Sequence, residues 1–184
     1  MASLSLAFAG HMIDLPDRKE PRFPPSLEAA VRAAIALRVH SQRHNRSAND
    51  VRGYASLARG GDILLHEVCR AEGLRTVIVL PFAPEQFLRA SVEGVPSGDW
   101  PARFKSLWEE TPSEDKEVMA LPVTQEAYAL CNIRILDLAR AAGHVHLIAL
   151  WNGEEGDGPG GTADLVRRAE AMGDRPSIID PRKL

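Results

Sequence analysis

Three short stretches place glycine beside residues able to handle an anion. Gly158-Pro-Gly-Gly-Thr162 closes a glycine-dense segment, Gly153 to Gly161, and helical spacing begins at Thr162. Ala58-Arg-Gly-Gly-Asp62 likewise separates a strand-like run from a helical one, and Gly10-His11 ends the first apolar run. A strand, a tight turn and a helix N-terminus in succession present free backbone N–H groups and the positive end of a helix dipole. Such a junction holds phosphate or carboxylate without a dedicated basic side chain. A surface turn that is merely glycine-rich has the same composition. His11 could bond a phosphate or ribose hydroxyl or act as an acid or base, or it could pair with a nearby carbonyl as an ordinary loop residue. Asp14, Arg18 and Arg22 share its proline-rich loop, which either covers a ligand or is a solvated charged loop.

Other combinations carry less chemistry. His40 and His44 have the i, i+4 spacing of a zinc helix, but Ser-Gln-Arg between them lacks the glutamate of a metalloprotease, so they read as surface histidines. His144 and His146 alternate on a strand, where a structural or solvent-facing role is expected. Trp100, Phe104 and Trp108 form a stripe at helical spacing, read as core or subunit packing in preference to a base-stacking platform. Neither a Gly-x-Ser-x-Gly elbow nor a phosphate-loop lysine motif occurs. Cys69 and Cys131 fall on apolar helix faces and are read as packing, and no metal or cofactor is expected.

These residues need elements to position them. Leu4 to Gly10 reads as a first strand and His11 to Pro25 as a loop, because repeated prolines continue neither helix nor central strand. A helix follows, capped by Ser26 and running toward Val39, then a polar connection from Ser41 to Asp50. Val51 to Leu57 reads as a strand, and Asp62 caps a helix that ends at Gly73. Arg75 to Phe82 is a continuous β-branched run, the pattern of a buried parallel strand. Helices are expected over Ala83 to Val92 and from Pro101 to Trp108, a loop over Glu109 to Lys116 and a short strand over Glu117 to Leu121. Thr124 caps a helix to Ala142 stopped by Gly143, Val145 to Trp151 is a strand, and Pro176 to Asp180 is a possible sixth strand.

Alternating strands and helices predict a single α/β domain over residues 1–184, Rossmann-like, with a mostly parallel sheet of five or six strands and helices on both faces. Ligands in such sheets sit beyond the C-terminal strand ends, where strand order reverses. All three glycine stretches fall at that edge. A formal charge of −3, from 22 basic and 25 acidic residues, gives no bulk attraction to nucleic acid or to an anionic membrane. With neither a signal-like N-terminus nor an apolar run of spanning length, a cytoplasmic location is expected.

The two glycine-to-helix motifs resemble the SLOG superfamily of Rossmann-like nucleotide-binding domains, which includes the cytokinin-activating phosphoribohydrolases, also called lysine decarboxylase-like. In those enzymes a glycine-rich turn opens the helix after the second strand, and a Pro-Gly-Gly-x-Gly-Thr-x-x-Glu motif follows a later strand. Ala58-Arg-Gly-Gly-Asp-Ile-Leu64 is similar to the first and Gly158-Pro-Gly-Gly-Thr-Ala-Asp-Leu165 to the second. Gly10-His-Met-Ile-Asp14, Pro21-Arg-Phe-Pro-Pro25, Leu80-Pro-Phe82 and Gly156-Asp-Gly-Pro-Gly-Gly-Thr162 also resemble uncharacterised bacterial domains found beside tetratricopeptide or cyclase modules, which implies a signalling setting.

The strand-edge position of Gly10 and His11, together with what the resemblance implies for the motifs, gives expected ligand contacts at Gly10, His11, Gly60, Gly61, Asp62, Asn132, Gly158, Gly160, Gly161 and Thr162. The phosphoribohydrolase glutamate falls on Leu165, and the nearest acid is Asp164; the family arginine falls near Asn132 or Arg134. Losing an acid that would stabilise an oxocarbenium-like transition state damages cleavage more than binding. The expectation is therefore a sensor or regulatory domain that binds a nucleotide or nucleotide-derived signal, with a homo-oligomer implied by related folds. A nucleoside monophosphate N-glycosidase using Asp164 with Arg134 or Arg103 is the alternative, and an interaction module with a vestigial pocket is the third possibility.

Overall fold

The computed structural model of the chain describes residues 3–154 and 161–184. Its first strand, β1 (Leu4–Gly10), is buried along six of its seven residues because both faces are covered. Leu4, Leu6 and Phe8 point into one core, Ala7 and Ala9 into the other, which is the period-two alternation of a strand with two apolar sides. Four further strands are β2 (Val51–Ala55), β3 (Arg75–Leu80), β4 (Lys116–Val118) and β5 (His144–Leu150). With β6 (Ser177–Ile179) they form one sheet in the order β4-β3-β2-β1-β5-β6. Every neighbouring pair is parallel.

Among the described residues six α-helices cover the sheet, as its parallel connections require. They are α1 (Glu28–Arg43), α2 (Gly61–Ala71), α3 (Pro84–Phe87), α4 (Trp100–Glu110), α5 (Gln125–Ala142) and α6 (Thr162–Ala171). The larger core joins the leucine and phenylalanine face of β1 to α1, α2 and α4. On the opposite face Ala7 and Ala9 are small enough to let Cys131, Ile135 and Leu136 of α5 and Leu165, Val166 and Ala169 of α6 pack close. The fold is thus Rossmann-like, with a six-stranded, wholly parallel sheet.

Several boundaries depart from the sequence reading for local reasons. α1 continues past Val39 to Arg43, whose guanidinium donates to the Glu72 carbonyl at 2.7 Å, so the tertiary contact extends the helix into the expected connection. Ser26 lies in a 3-10 turn and does not cap α1, whose N-cap is Leu27. Ala83 to Val92 divides into α3 and a π-helical turn, Leu88–Val92. α4 reaches Glu110, closed by Thr111 donating its hydroxyl and amide to the Leu107 carbonyl. The fourth strand is three residues long and starts at Lys116, and Ala120 at φ +56° lies two residues beyond its end. Asp62 is not the N-cap of α2; Gly60 is, and the Asp62 carboxylate turns back to accept the Ala58 amide at 3.1 Å. Thr124 does cap α5, accepting the Ala127 amide at 3.3 Å.

Candidate functional site

The chain leaves β1 toward β2, β3 and β4 on one side and later returns to place β5 and β6 on the other. Order therefore reverses between β1 and β5, and a crevice opens beyond their C-terminal ends. His11 follows β1 and Asn152 follows β5. The His11 amide donates to the Leu150 carbonyl at 3.0 Å, which keeps the two chain ends together past the last paired residues.

Two chambers meet there. The outer one, about 530 Å³, is lined by His11, Asp14, Arg18, Arg22, Arg59, Glu154 and the first residues of α6, among others. The inner one, about 300 Å³, lies against Phe8, Ser56, Asp62, Phe87, Ser91, Cys131 and Asn132. Gly10, Met12, Gln125, Tyr128, Gly161 and Thr162 wall both.

Arg59 is the unusual group of the outer chamber. It is 6% exposed, and no carboxylate among the described residues forms an ion pair with it. Its Nε donates to the Ile13 carbonyl at 3.1 Å and its Nη1 to the Glu93 carbonyl at 3.4 Å, so it also braces the loop after β1. Burial lowers its pKa, since desolvation disfavours the cation, while the charge of Asp14 acts the other way. A buried cation left with neutral acceptors is costly, and an anion in the chamber would relieve that cost.

α6 supplies the matching element. Gly161 is its N-cap, with no side-chain cap, and among the described residues the amides of Thr162 and Ala163 have no acceptor. Both residues face the outer chamber, where the positive end of the helix dipole lies.

Of the carboxylates that line this chamber, Asp14 and Glu154 are held by protein partners, and Asp17 is exposed. Asp14, 7% exposed, accepts the amides of Arg22 at 2.9 Å and Phe23 at 2.8 Å and pairs with Arg18 at 3.4 Å. Glu154 accepts Asn152 Nδ2 at 3.0 Å and lies 3.4 Å from Arg182. His11 Nε2 stands 3.1 Å from Asn152 Oδ1 and 3.2 Å from the Asn152 amide nitrogen. One nitrogen cannot donate to the first and accept from the second, so the tautomer selects between them. Burial lowers the His11 pKa against the Asn152 bond that raises it, which favours the neutral ring at pH 7.

The residues expected to contact a ligand divide into three groups. Gly10, His11, Asp62, Asn132, Gly161 and Thr162 line one or both chambers. Gly60 and Gly61 lie beneath the loop and line neither: the Gly61 amide donates to the His11 carbonyl at 3.4 Å, Gly60 pairs with Met12, and a Cβ on Gly61 would stand 2.8 Å from the Phe8 ring. Their glycines admit this chain's own backbone. Gly158 and Gly160 lie outside the described residues.

The two residues assigned catalytic roles under the alternative are engaged elsewhere. Arg134 makes a bidentate pair with Glu117 on β4 at 2.7 and 2.9 Å, and Asp164 pairs with Arg168 one turn on at 2.8 Å. Neither lines a chamber. Leu165, where the glutamate would stand, is 1% exposed in the core against α5. Arg103 is also committed, to Glu67 at 2.7 and 2.8 Å and to Glu28 at 2.8 Å, with its guanidinium 3.9 Å from the Trp100 ring centroid. Trp100 and Phe104 are core residues, and Trp108 stacks on Phe104.

Three residues of the site were not singled out from sequence. Arg59 stands inside the first motif, beside the glycines that drew attention, and a cation at a strand-to-helix junction was the available signal. Ser56 immediately follows β2 and Asn152 is the second residue beyond β5, and only the strand order brings them to one edge.

Asp62 is the titratable group of the inner chamber. Burial pushes its carboxyl up to about 7, with the Ala58 amide opposing the shift. Between the ordinary value of 3.8 and about 7 the folded chain holds a proton that the unfolded chain releases, so stability falls as pH rises through this window. Asp62→Asn keeps the acceptor for Ala58 and removes the ionisation. Denaturant unfolding is expected to find the variant about 4 kcal/mol more stable than wild type at pH 8, with the gap closing near pH 4. An equal difference at both pH values would refute a titrating Asp62.

Among the described residues no group of three or more His, Cys, Asp or Glu is placed to hold a metal ion, and no helix is long and apolar enough to cross a membrane. No family model matches the chain, and neither a curated protein nor a solved structure matches it.

Proposed function

We propose that this chain binds a nucleotide or nucleotide-derived signalling molecule in the crevice between β1 and β5, as a SLOG-like sensor or regulatory domain. A phosphate sits between the Arg59 guanidinium and the first amides of α6. The observation that carries this reading is Arg59: a guanidinium buried to 6% exposure, without a carboxylate partner among the described residues, on the wall of the chamber that α6 opens into. The wholly parallel sheet and its reversal of order at this crevice support it, because that is where such folds take ligands. Binding is favoured over glycosidic cleavage because Asp164 and Arg134 are paired outside the chambers and Leu165 is a core residue.

Calorimetric titration with nucleoside mono- and diphosphates, ADP-ribose and cyclic nucleotides tests the reading. At least one phosphate-bearing ligand is expected to bind, and Gly161→Val, which puts a β-branched side chain at the mouth of both chambers, is expected to weaken it at least tenfold. Failure of every such ligand, or unchanged binding by the variant, would reject the proposal. The same reading carries a homo-oligomer, to be checked by light scattering.

A further inference from the structure

We propose that the inner chamber seats the base of the bound nucleotide and that Asp62 reads it, donating from Oδ1–H to a ring nitrogen with a free lone pair. This rests on the phosphate reading of the outer chamber and adds the chemical class of the rest of the ligand. Oδ2 of Asp62 is held by the Ala58 amide, which leaves Oδ1 without a partner among the described residues, on a side chain that lines the chamber. Ser56 Oγ, on the same wall, is buried, and its one neighbour of hydrogen-bonding character among the described residues is the weak Cys131 thiol. Oδ1 of Asp62 and Oγ of Ser56, in a small space lined also by Gln125, Asn132 and Thr162 beside Phe8 and Phe87, call for a flat ligand with its own donors and acceptors.

The rest of the wall suits an aromatic ring. Phe87 and Tyr128 stand 6.5 Å apart at 49° and border the chamber, and the Tyr128 hydroxyl is fixed 3.0 Å from Ser91 Oγ. The two chambers share Gly10, Gly161 and Thr162, so a ligand whose phosphate lies in the outer one can extend its base into the inner one past the start of α6.

The titratable and charged neighbours leave the assignment to Asp62. Tyr128 and Cys131 face it from α5, and burial pushes the Cys131 thiol up to about 12. On α2, His66 is buried, donates Nε2–H to the Ser56 carbonyl and has its pKa pushed down to about 4. Arg59 keeps its charge in the preceding turn, and His11 at the mouth has a pKa below its ordinary value. With a carboxyl raised to about 7, the donor is present at pH 6 and mostly lost at pH 8.

Cyclic AMP and cyclic GMP are the probes, because their phosphodiesters do not titrate in this range. Calorimetry on the full chain at pH 6 and pH 8 is expected to show cyclic AMP binding about tenfold weaker at pH 8. Asp62→Asn presents a permanent N–H donor from the same position, so it should bind at both pH values as wild type does at pH 6. Asp62→Leu should lose at least tenfold at pH 6, with its melting curve reporting whether it folds. Equal wild-type affinity at both pH values, weakened binding by the asparagine variant, or cyclic GMP gaining affinity toward pH 8 would overturn the donor role of Asp62. If neither those probes nor any other phosphate ligand bound wild type, the phosphate reading itself would fall with it.

Discussion

Arg59→Met is expected to weaken a phosphate-bearing ligand by about 100-fold, equivalent to about 3 kcal/mol. The size follows from where the charge sits. A guanidinium 6% exposed has given up most of its hydration, so its bond to an anion competes weakly with water. Methionine keeps a comparable stem while removing both the charge and the donors. Arg59→Lys restores a point charge without the planar fork and is expected to lie between the two, because phosphate is recognised best by two parallel N–H groups. Since Arg59 also holds the carbonyls of Ile13 and Glu93, the methionine variant loses some stability, and melting curves report that loss separately from affinity. A methionine variant that melts near wild type and binds with unchanged affinity would remove Arg59 from the site.

Gly60→Ala is expected to destabilise the fold by about 4 kcal/mol or to prevent it from forming. Gly60 has φ +94° and ψ −125°, a region that side chains rarely enter. A Cβ there would stand 2.5 Å from the Ile13 backbone nitrogen, and backbone cannot step aside as a flexible side chain can. The damage extends to the site, because the Met12 and Ile13 backbone it displaces lies between His11 and Asp14 on the chamber wall. Gly73→Ala separates conformational strain from collision. Gly73 has φ +70°, and a Cβ added there would meet nothing within 4 Å, so about 1 kcal/mol is expected. Equal losses in the two variants, measured by urea unfolding, would show that the close approach at Gly60 contributes nothing.

Much of the architecture is legible in the residues themselves. Thr76 to Val79 is β-branched because both faces of a parallel strand are covered, and the alternation of such runs with capped helical patterns predicts a mostly parallel sheet, which the fold makes wholly parallel. Helix ends set by neighbours are not legible: Arg43 joins α1 because Glu72 holds it, and no local signal announces that contact. The site divides in the same way. Glycine marks the β1 end and the α6 start, but glycine types do not say whether the space they leave admits a ligand or this chain's own loop. Gly60 and Gly61 admit His11 to Ile13, whereas Gly10 and Gly161 border the chambers. Nor does sequence tell which arginines are already paired. Arg134 and Arg103 look as available as Arg59 until Glu117, Glu67 and Glu28 are brought to them by the fold.

The most direct test of the phosphate site follows individual backbone amides in 15N-labelled protein as a nucleoside diphosphate is added. The amides of Thr162 and Ala163 and the Arg59 Nε–H resonance are expected to move furthest and to saturate together. Saturating shifts confined to other surfaces, with Thr162, Ala163 and Arg59 unmoved, would contradict the placement of a phosphate between Arg59 and α6.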